Sequence, residues 1–256
     1  MKKYIKDFEI VYNTRLNEEY YLLKLFSEDD LPGIFPAQFV ELRIDGSPAT
    51  FLRRPISIHD VNYEKNTITL LVRIAGEGTA KLSEIKAGEM LNMVYPLGNS
   101  YTMPDDDNIL LVGGGCGVAP LLYTAKYFMQ FGFTPSLLLG YRDKESILRE
   151  DKFAKYGNVF YTTEDGSYGE KGNVLDHSLL KDNAKQFSKI YACGPEPMLK
   201  AIGEFTVKND IECEVSLENL MACGIGACLC CVQNTNEGHK CVCTEGPVFN
   251  AKDIIW

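Results

Sequence analysis

Asn108-Ile109-Leu110-Leu111-Val112-Gly113-Gly114-Gly115-Cys116-Gly117-Val118-Ala119-Pro120 is the stretch on which the fold turns. A short apolar run reads as a buried strand, glycines follow, and a helical pattern runs from Leu121 to Gln130. A strand that passes through a glycine turn into a helix is the unit that cradles phosphate, because the helix start presents unpaired N–H groups. The match to G-x-G-x-x-G is incomplete: counted from Gly113 the last position is Val118, and from Gly115 it is Pro120. A glycine turn without a ligand is the competing reading.

Downstream, Ser136-Leu137-Leu138-Leu139, Val159-Phe160-Tyr161-Thr162 and Lys189-Ile190-Tyr191-Ala192 read as further strands, with a helix from about Pro197 to Val207. The alternation predicts a parallel sheet with helices on its faces over residues 102–212. Cys193-Gly194 falls at a strand end, where ligands of such sheets collect. Cys193 lines a nicotinamide site or is a buried structural thiol. The candidate dinucleotide contacts are Gly113, Gly114, Gly115, Gly117, Cys193 and Gly194. Thr163 to Ser167, with Gly169 and Gly172, contacts a nucleotide or simply turns.

Upstream, residues 1–101 carry short apolar runs separated by turn residues: Phe8–Tyr12, Tyr20–Phe26, Phe39–Ile44, Thr67–Arg73 and Met90–Tyr95. Strands this close together predict an antiparallel barrel. Within them, Arg54-Pro55-Ile56-Ser57 offers a guanidinium for bidentate phosphate binding and a hydroxyl for a neutral hydrogen bond. Leu71-Val72-Arg73 precedes a glycine-rich turn, and a short helix starts near Gly78-Thr79. Each piece alone also reads as a surface arginine or an ordinary turn. In this order, ahead of an α/β unit, they favour a flavin nucleotide.

Residues 213–256 hold most of the nine cysteines. Cys223-x4-Cys228-x2-Cys231, then Cys243, has the spacing of plant-type [2Fe–2S] centres. Gly224, Ile225, Gly226 and Ala227 let backbone N–H groups approach sulfur. A zinc site in a non-catalytic binding module is the alternative, since Cys228-x2-Cys231 also suits Zn²⁺. Cys230 and Cys241 are surplus, although spacing alone separates Cys243 from Cys241 poorly. So short a segment cannot bury enough apolar surface alone and needs the metal as a staple.

Composition narrows the setting. The chain of 256 residues is 45% hydrophobic and 24% charged, and its net charge of −9 argues against nucleic-acid or anionic-membrane partners. The first residues are too charged for a signal peptide, and the Ile109–Tyr123 stretch is too broken by glycine for a span. An odd cysteine count, crowded at one end, suits reduced thiols in a cytoplasm better than a secreted disulfide framework. His59, His177 and His239 are scattered, and Trp256 reads as a packed terminus. Cys213 reads as a core thiol on a strand.

These pieces occur in the order of the ferredoxin–NAD(P)⁺ reductase superfamily. The tail from Glu218 to Cys228, with Cys243-Thr244-Glu245-Gly246-Pro247-Val248-Phe249, closely resembles the electron-transfer subunits of NAD-dependent (class 1B) dihydroorotate dehydrogenases. The resemblance covers essentially the whole chain. It implies a multi-domain β and α/β protein: an FAD-binding barrel (1–101), an NAD-binding α/β domain (102–212) and a small [2Fe–2S] module (213–256). It places FAD on Arg54 to Ser57, Leu71 to Arg73, Gly78 and Thr79, and the cluster on Cys223, Cys228, Cys231 and Cys243. It also implies an FMN-containing catalytic subunit that oxidises dihydroorotate in pyrimidine synthesis, in a heterotetramer of two plus two. Electrons would run from that FMN through the cluster and FAD to NAD⁺, with no catalytic acid–base pair in this chain. A related NAD(P)H–acceptor reductase with another partner shares the layout.

Overall fold

The structure, a computed structural model, describes residues 2–46 and 50–256. Strands β1 (Tyr4–Arg15), β2 (Tyr20–Phe26), β3 (Phe39–Leu42), β4 (Arg54–Asn62), β5 (Thr67–Arg73) and β6 (Met90–Leu97) close into an antiparallel barrel, with helix α1 (Glu77–Leu82) after β5. The barrel order is β1-β2-β5-β4-β3-β6. The two faces of β2 explain why its sequence is apolar at every position except Lys24. Tyr21, Leu23 and Leu25 fill the barrel, while Tyr20 and Leu22 on the opposite face pack against the α/β domain. Side chains alternate along a strand, so covering both faces removes the polar positions.

The second layer holds β7 (Ile109–Gly114), α2 (Ala119–Gln130), β8 (Ser136–Tyr141), α3 (Glu150–Phe153), β9 (Asn158–Thr163), β10 (Glu170–Lys171), α4 (Ser178–Lys181), β11 (Lys189–Cys193), α5 (Glu196–Asn209) and β12 (Glu212–Ser216). The sheet order is β10-β9-β8-β7-β11-β12, and every pair in it is parallel. In β7, Leu110 and Val112 face one core while Ile109 and Leu111 face another, as a strand covered on both sides requires. Each such side chain contributes about 1.5–3 kcal/mol on burial. The chain leaves β7 towards β8 and returns on the other flank at β11. The carboxyl ends of β7 and β11 are therefore the switch point where a ligand crevice opens.

The last segment adds a hairpin of β13 (Val232–Thr235) and β14 (Gly238–Cys241), then β15 (Val248–Asn250). β15 pairs antiparallel with β12. β12 itself crosses residue 212, so the cysteine-rich tail extends the α/β sheet rather than standing apart. Cys231, Val242 and Cys243 join a core shared with Phe39 and Leu97 of the barrel and Val215 of the sheet. That shared core is what holds so short a tail.

Candidate functional site

Arg54-Pro55-Ile56-Ser57 and Leu71-Val72-Arg73 meet across a gap in the barrel. β4 pairs with β5 from Asn62↔Thr67 to Ile58↔Leu70 and no further. Continued in register, Ser57 would face Leu71 and Pro55 would face Arg73. Instead residues 54–57 pair only with β3 on their other side. The seam opens over the two predicted runs, leaving backbone groups that a bound molecule can satisfy. Leu71 and Val72 bury their side chains in the cores, so any contact they make is through the main chain.

The same seam brings in the third piece. A Cβ on Gly78 would lie 3.0 Å from Arg54 Nε, so only glycine lets the arginine lie against the start of α1. Among the described residues, the Arg54 guanidinium donates only to the carbonyls of Leu52 (2.9 Å) and Arg53 (3.2 Å). Among the described residues it forms no salt bridge, although its charge acts on the buried Glu41 carboxyl. Thr79 Oγ1 accepts from the N–H of Ala75 (2.9 Å) and Gly76 (3.2 Å), so this side chain shapes the turn. What remains for a ligand is the first-turn backbone of α1. An unpaired seam, an unpaired guanidinium and a glycine-walled helix start fit the diphosphate and ring edge of a flavin nucleotide.

A cavity of about 700 Å³ lies at the switch point. Gly114, Gly115, Tyr141 and Pro195 line it from the sheet, and Tyr20 and Arg73 line it from the barrel. The four glycines of the opening stretch divide by role. A Cβ on Gly113 would strike Leu121 and Val118, and one on Gly117 would fall 2.3 Å from the Cys193 carbonyl oxygen. Those two serve close packing. Gly115, at φ +54, faces open space and lines the cavity with Gly114.

Cys193 and Gly194 are not on this cavity. Cys193 is buried, and burial and then the charge of Glu218 push its thiol well up. Arg142, a candidate phosphate contact beside the crevice, donates to Glu19 at 2.6 Å. Glu19 also pairs with Arg73 at 2.9 Å, so one carboxylate ties barrel to sheet across the cavity. The Arg142 hydrogen bond is the main reason its carboxyl is held below the usual range.

The cysteine loop follows a short spacing with a definite geometry. Gly224 and Gly226 take φ of +65 and +82, folding the chain back on itself. The N–H groups of Ile225 and Ala227 donate to Cys223 Sγ at 3.4 and 3.3 Å, and that of Gly226 donates to Cys243 Sγ at 3.2 Å. Cys243 N–H in turn donates to Cys231 Sγ at 3.4 Å. Burial pushes the Cys223 thiol up, but N–H donors from Ile225, Cys228 and Ala227 outweigh it and bring it down to about 6. Burial and the neighbouring Cys231 push Cys243 up to about 12.

The thiols form two pairs, Cys223 with Cys228 and Cys231 with Cys243. Two pairs bridged by sulfide suit a two-iron cluster, in which each iron takes two protein ligands. Cys230 is exposed, as Cys228 also is, and among the described residues no N–H donates to the sulfur of Cys241, whose main-chain N–H donates to Glu245.

Glu218 is a residue that motif reading passes over. It lines a second cavity of about 430 Å³ with Gly194, Cys230 and Trp256. Its side chain is solvent-exposed at the mouth of that cavity, and the surrounding protein raises its carboxyl. After burial, its charge is what most raises Cys116, to about 12. Its position two residues past β12, at a strand's carboxyl end, is the signal that would have flagged it. The histidines hold structure: His59 Nδ1 bonds Ala119 O at 2.7 Å, His177 caps α4 and His239 bonds Asn234. Trp256 packs on Gly203 of α5, and Cys213 is buried on β12.

Barrel, switch-point cavity and cysteine loop together define an oxidoreductase of the ferredoxin reductase type with an added iron–sulfur segment. The structure superposes on an NADH-dependent reduced ferredoxin–NADP oxidoreductase of flavin-based electron bifurcation at TM-score 0.88 and 29% identity, over 97% of this chain and 90% of that one. A ferredoxin NADP⁺ reductase from Neisseria gonorrhoeae shares the fold at TM-score 0.67 and 15% identity, over 80% of this chain and 91% of that one. Residues 218–255 match the iron–sulfur cluster binding domain of dihydroorotate dehydrogenase B, and residues 111–204 match the oxidoreductase NAD-binding domain.

The Fusobacterium nucleatum subsp. nucleatum dihydroorotate dehydrogenase B (NAD(+)), electron transfer subunit, is 38% identical over 98% of both chains. Its Caldanaerobacter subterraneus subsp. tengcongensis counterpart is 39% identical over 96% of this chain and 97% of that one. The chain belongs to the family of dihydroorotate dehydrogenase B (NAD(+)) electron transfer subunits.

Proposed function

We propose that this chain is the electron-transfer subunit of an NAD-dependent dihydroorotate dehydrogenase, working between an FMN-containing catalytic subunit and NAD⁺ in pyrimidine synthesis. The observation that carries it is the adjacency of three fitted sites: the open β4–β5 seam, the switch-point cavity and the paired thiols. A flavin exchanges one or two electrons, so it connects a one-electron cluster with a hydride carrier.

The residues then have distinct tasks. Arg54 and the backbone of Gly78 and Thr79 hold the FAD diphosphate, while Pro55, Ile56, Ser57 and the Leu71–Arg73 main chain line its ring. Gly114 and Gly115 admit the dinucleotide, Gly113 and Gly117 keep that turn close to α2 and Cys193, and Gly194 borders the second cavity. Cys193 closes the floor beneath the crevice as a buried thiol. Cys223, Cys228, Cys231 and Cys243 hold the cluster, with Gly226 and Ala227 directing N–H groups at sulfur. Residues 1–101, 102–212 and 213–256 are the corresponding functional regions, the last one annexed to the sheet of the second. The dihydroorotate-oxidising site lies on the partner, in an assembly of two plus two placed in the cytoplasm.

The test is co-expression with an FMN-type dehydrogenase subunit. The purified complex should contain FAD, iron and sulfide, and should reduce NAD⁺ with dihydroorotate. A complex that reduces another acceptor from NAD(P)H but not NAD⁺ from dihydroorotate would support the differently partnered reductase. Zinc in place of iron and sulfide would overturn both.

A further inference from the structure

Glu41 lies on β3 at 0% exposure, and neither carboxylate oxygen has a hydrogen-bond partner among the described residues. An unpartnered buried carboxyl is costly, and a fold keeps one only where something offsets it. Its neighbours show where it sits. In register, Glu41 pairs with Pro55 of the open flavin seam. On the other side, its Cγ lies 2.7 Å from where a Gly224 Cβ would begin, and Leu97 closes the same gap. Gly224 follows Cys223 directly. Glu41 thus occupies the space between the seam and the loop that carries the first cluster ligand.

The nearest cation does not neutralise it. Arg53 spends its N–H groups on the Glu41 carbonyl oxygen (3.2 Å) and on Asn92, at 2.6 Å to Oδ1 and 3.3 Å to O. Burial is the main influence on the carboxyl and pushes it up to about 7, with Arg53 and then Arg54 opposing and Cys223 adding to the rise.

We propose that Glu41 is a positioning residue that sets the reduction potential of the cluster, by holding a buried carboxyl beneath Gly224 between the flavin seam and the cysteine loop. The inference rests on the cluster assignment proposed above. Above that raised range the carboxyl is ionised, and an ionised group so close, in surroundings that screen poorly, disfavours added negative charge on the cluster. Removing that charge without changing shape raises the potential. Because the carboxyl has no partner to lose, its replacement by an amide does not lower stability as a broken buried pair would.

The experiment is a redox titration of the loaded complex, followed by the cluster's EPR signal at one fixed pH well above 7, where the Glu41 carboxyl is ionised, for wild type, Glu41→Gln and Glu41→Asp. Thermal midpoints are measured alongside. The expected result for Glu41→Gln is an equilibrium constant for one-electron reduction raised about tenfold, which is about 59 mV for one electron. Its thermal midpoint should not fall. Glu41→Asp, which keeps the charge, should stay within about twofold of wild type. Coincident potentials in all three proteins would overturn the inference, as would an Asp shift as large as the Gln shift. Loss of the cluster in Glu41→Gln would assign the residue to loop packing and overturn it too. A wild-type complex without iron and sulfide would overturn the cluster assignment itself, which the loaded-protein outcomes leave intact.

Discussion

The Gly226 N–H donates to Cys243 Sγ at 3.2 Å, closing the glycine loop onto a thiol seventeen residues further along the chain. The contact exists because Gly226 adopts φ +82, a conformation that costs other residues about 1–2 kcal/mol. It separates Cys243 from Cys241, which lies two residues away and accepts no such bond. Cys243→Ser should therefore yield protein deficient in iron and sulfide with its flavin retained. Cys241→Ser should keep both. Iron and sulfide assays with the EPR signal decide the matter, and the reverse result would move the fourth ligand to Cys241.

The open seam makes a claim about flavin. Among the described residues Arg54 has no salt bridge to break when a diphosphate arrives, so the main loss on its replacement is a charge-assisted hydrogen bond to the ligand. Arg54→Met should weaken FAD binding by about 1.5–3 kcal/mol, roughly ten- to a hundredfold in Kd. Flavin fluorescence on dilution measures this. The iron content should not change, because the cysteine loop does not touch Arg54. An unchanged FAD affinity would place the diphosphate elsewhere.

Much of this was legible from local pattern, and what was not has a common cause. The Asn108–Pro120 stretch announces strand, turn and helix because those residues are neighbours in sequence, and the x4/x2 spacing announces its own chemistry. The β4–β5 seam is different. It depends on where pairing stops between strands that are each well formed, and no composition records that. β15 reads as loop because three residues carry no periodicity, yet it finds an edge on β12. Glu41 and Glu218 matter through neighbours distant in sequence. The glycines of the opening stretch look alike in sequence, but their surroundings divide them into packing and cavity positions.

That division can be tested directly. A Cβ on Gly117 would meet main-chain atoms of Cys193 and Gly194 at 2.3–2.4 Å, and neither can rotate away. Gly117→Ala should cost at least about 1–3 kcal/mol of stability through overpacking. Gly115 faces open space, so Gly115→Ala should cost only about 1–2 kcal/mol for its left-handed backbone. It should instead reduce NAD(H) affinity, because the methyl enters the cavity. Thermal melts and NADH titrations of the two variants should therefore rank them in opposite orders. The same order in both assays would mean that Gly115 does not border the dinucleotide.

Glu19 bears on the choice between NAD and NADP. Its carboxylate holds both Arg73 and Arg142 at the cavity rim, so neither guanidinium is free for a 2′-phosphate. All three side chains are substantially exposed, so each ion pair is weak. Glu19→Gln should release both arginines and improve NADPH binding relative to NADH roughly two- to fivefold. Added salt should erase the gain, since exposed charges are screened within about 10 Å at 0.1 M. Stopped-flow reduction of the bound flavin by each nucleotide, at low and high ionic strength, measures the ratio. A ratio unchanged at low salt would show that neither arginine reaches the ribose, and that the preference for NAD is set on another wall of the cavity.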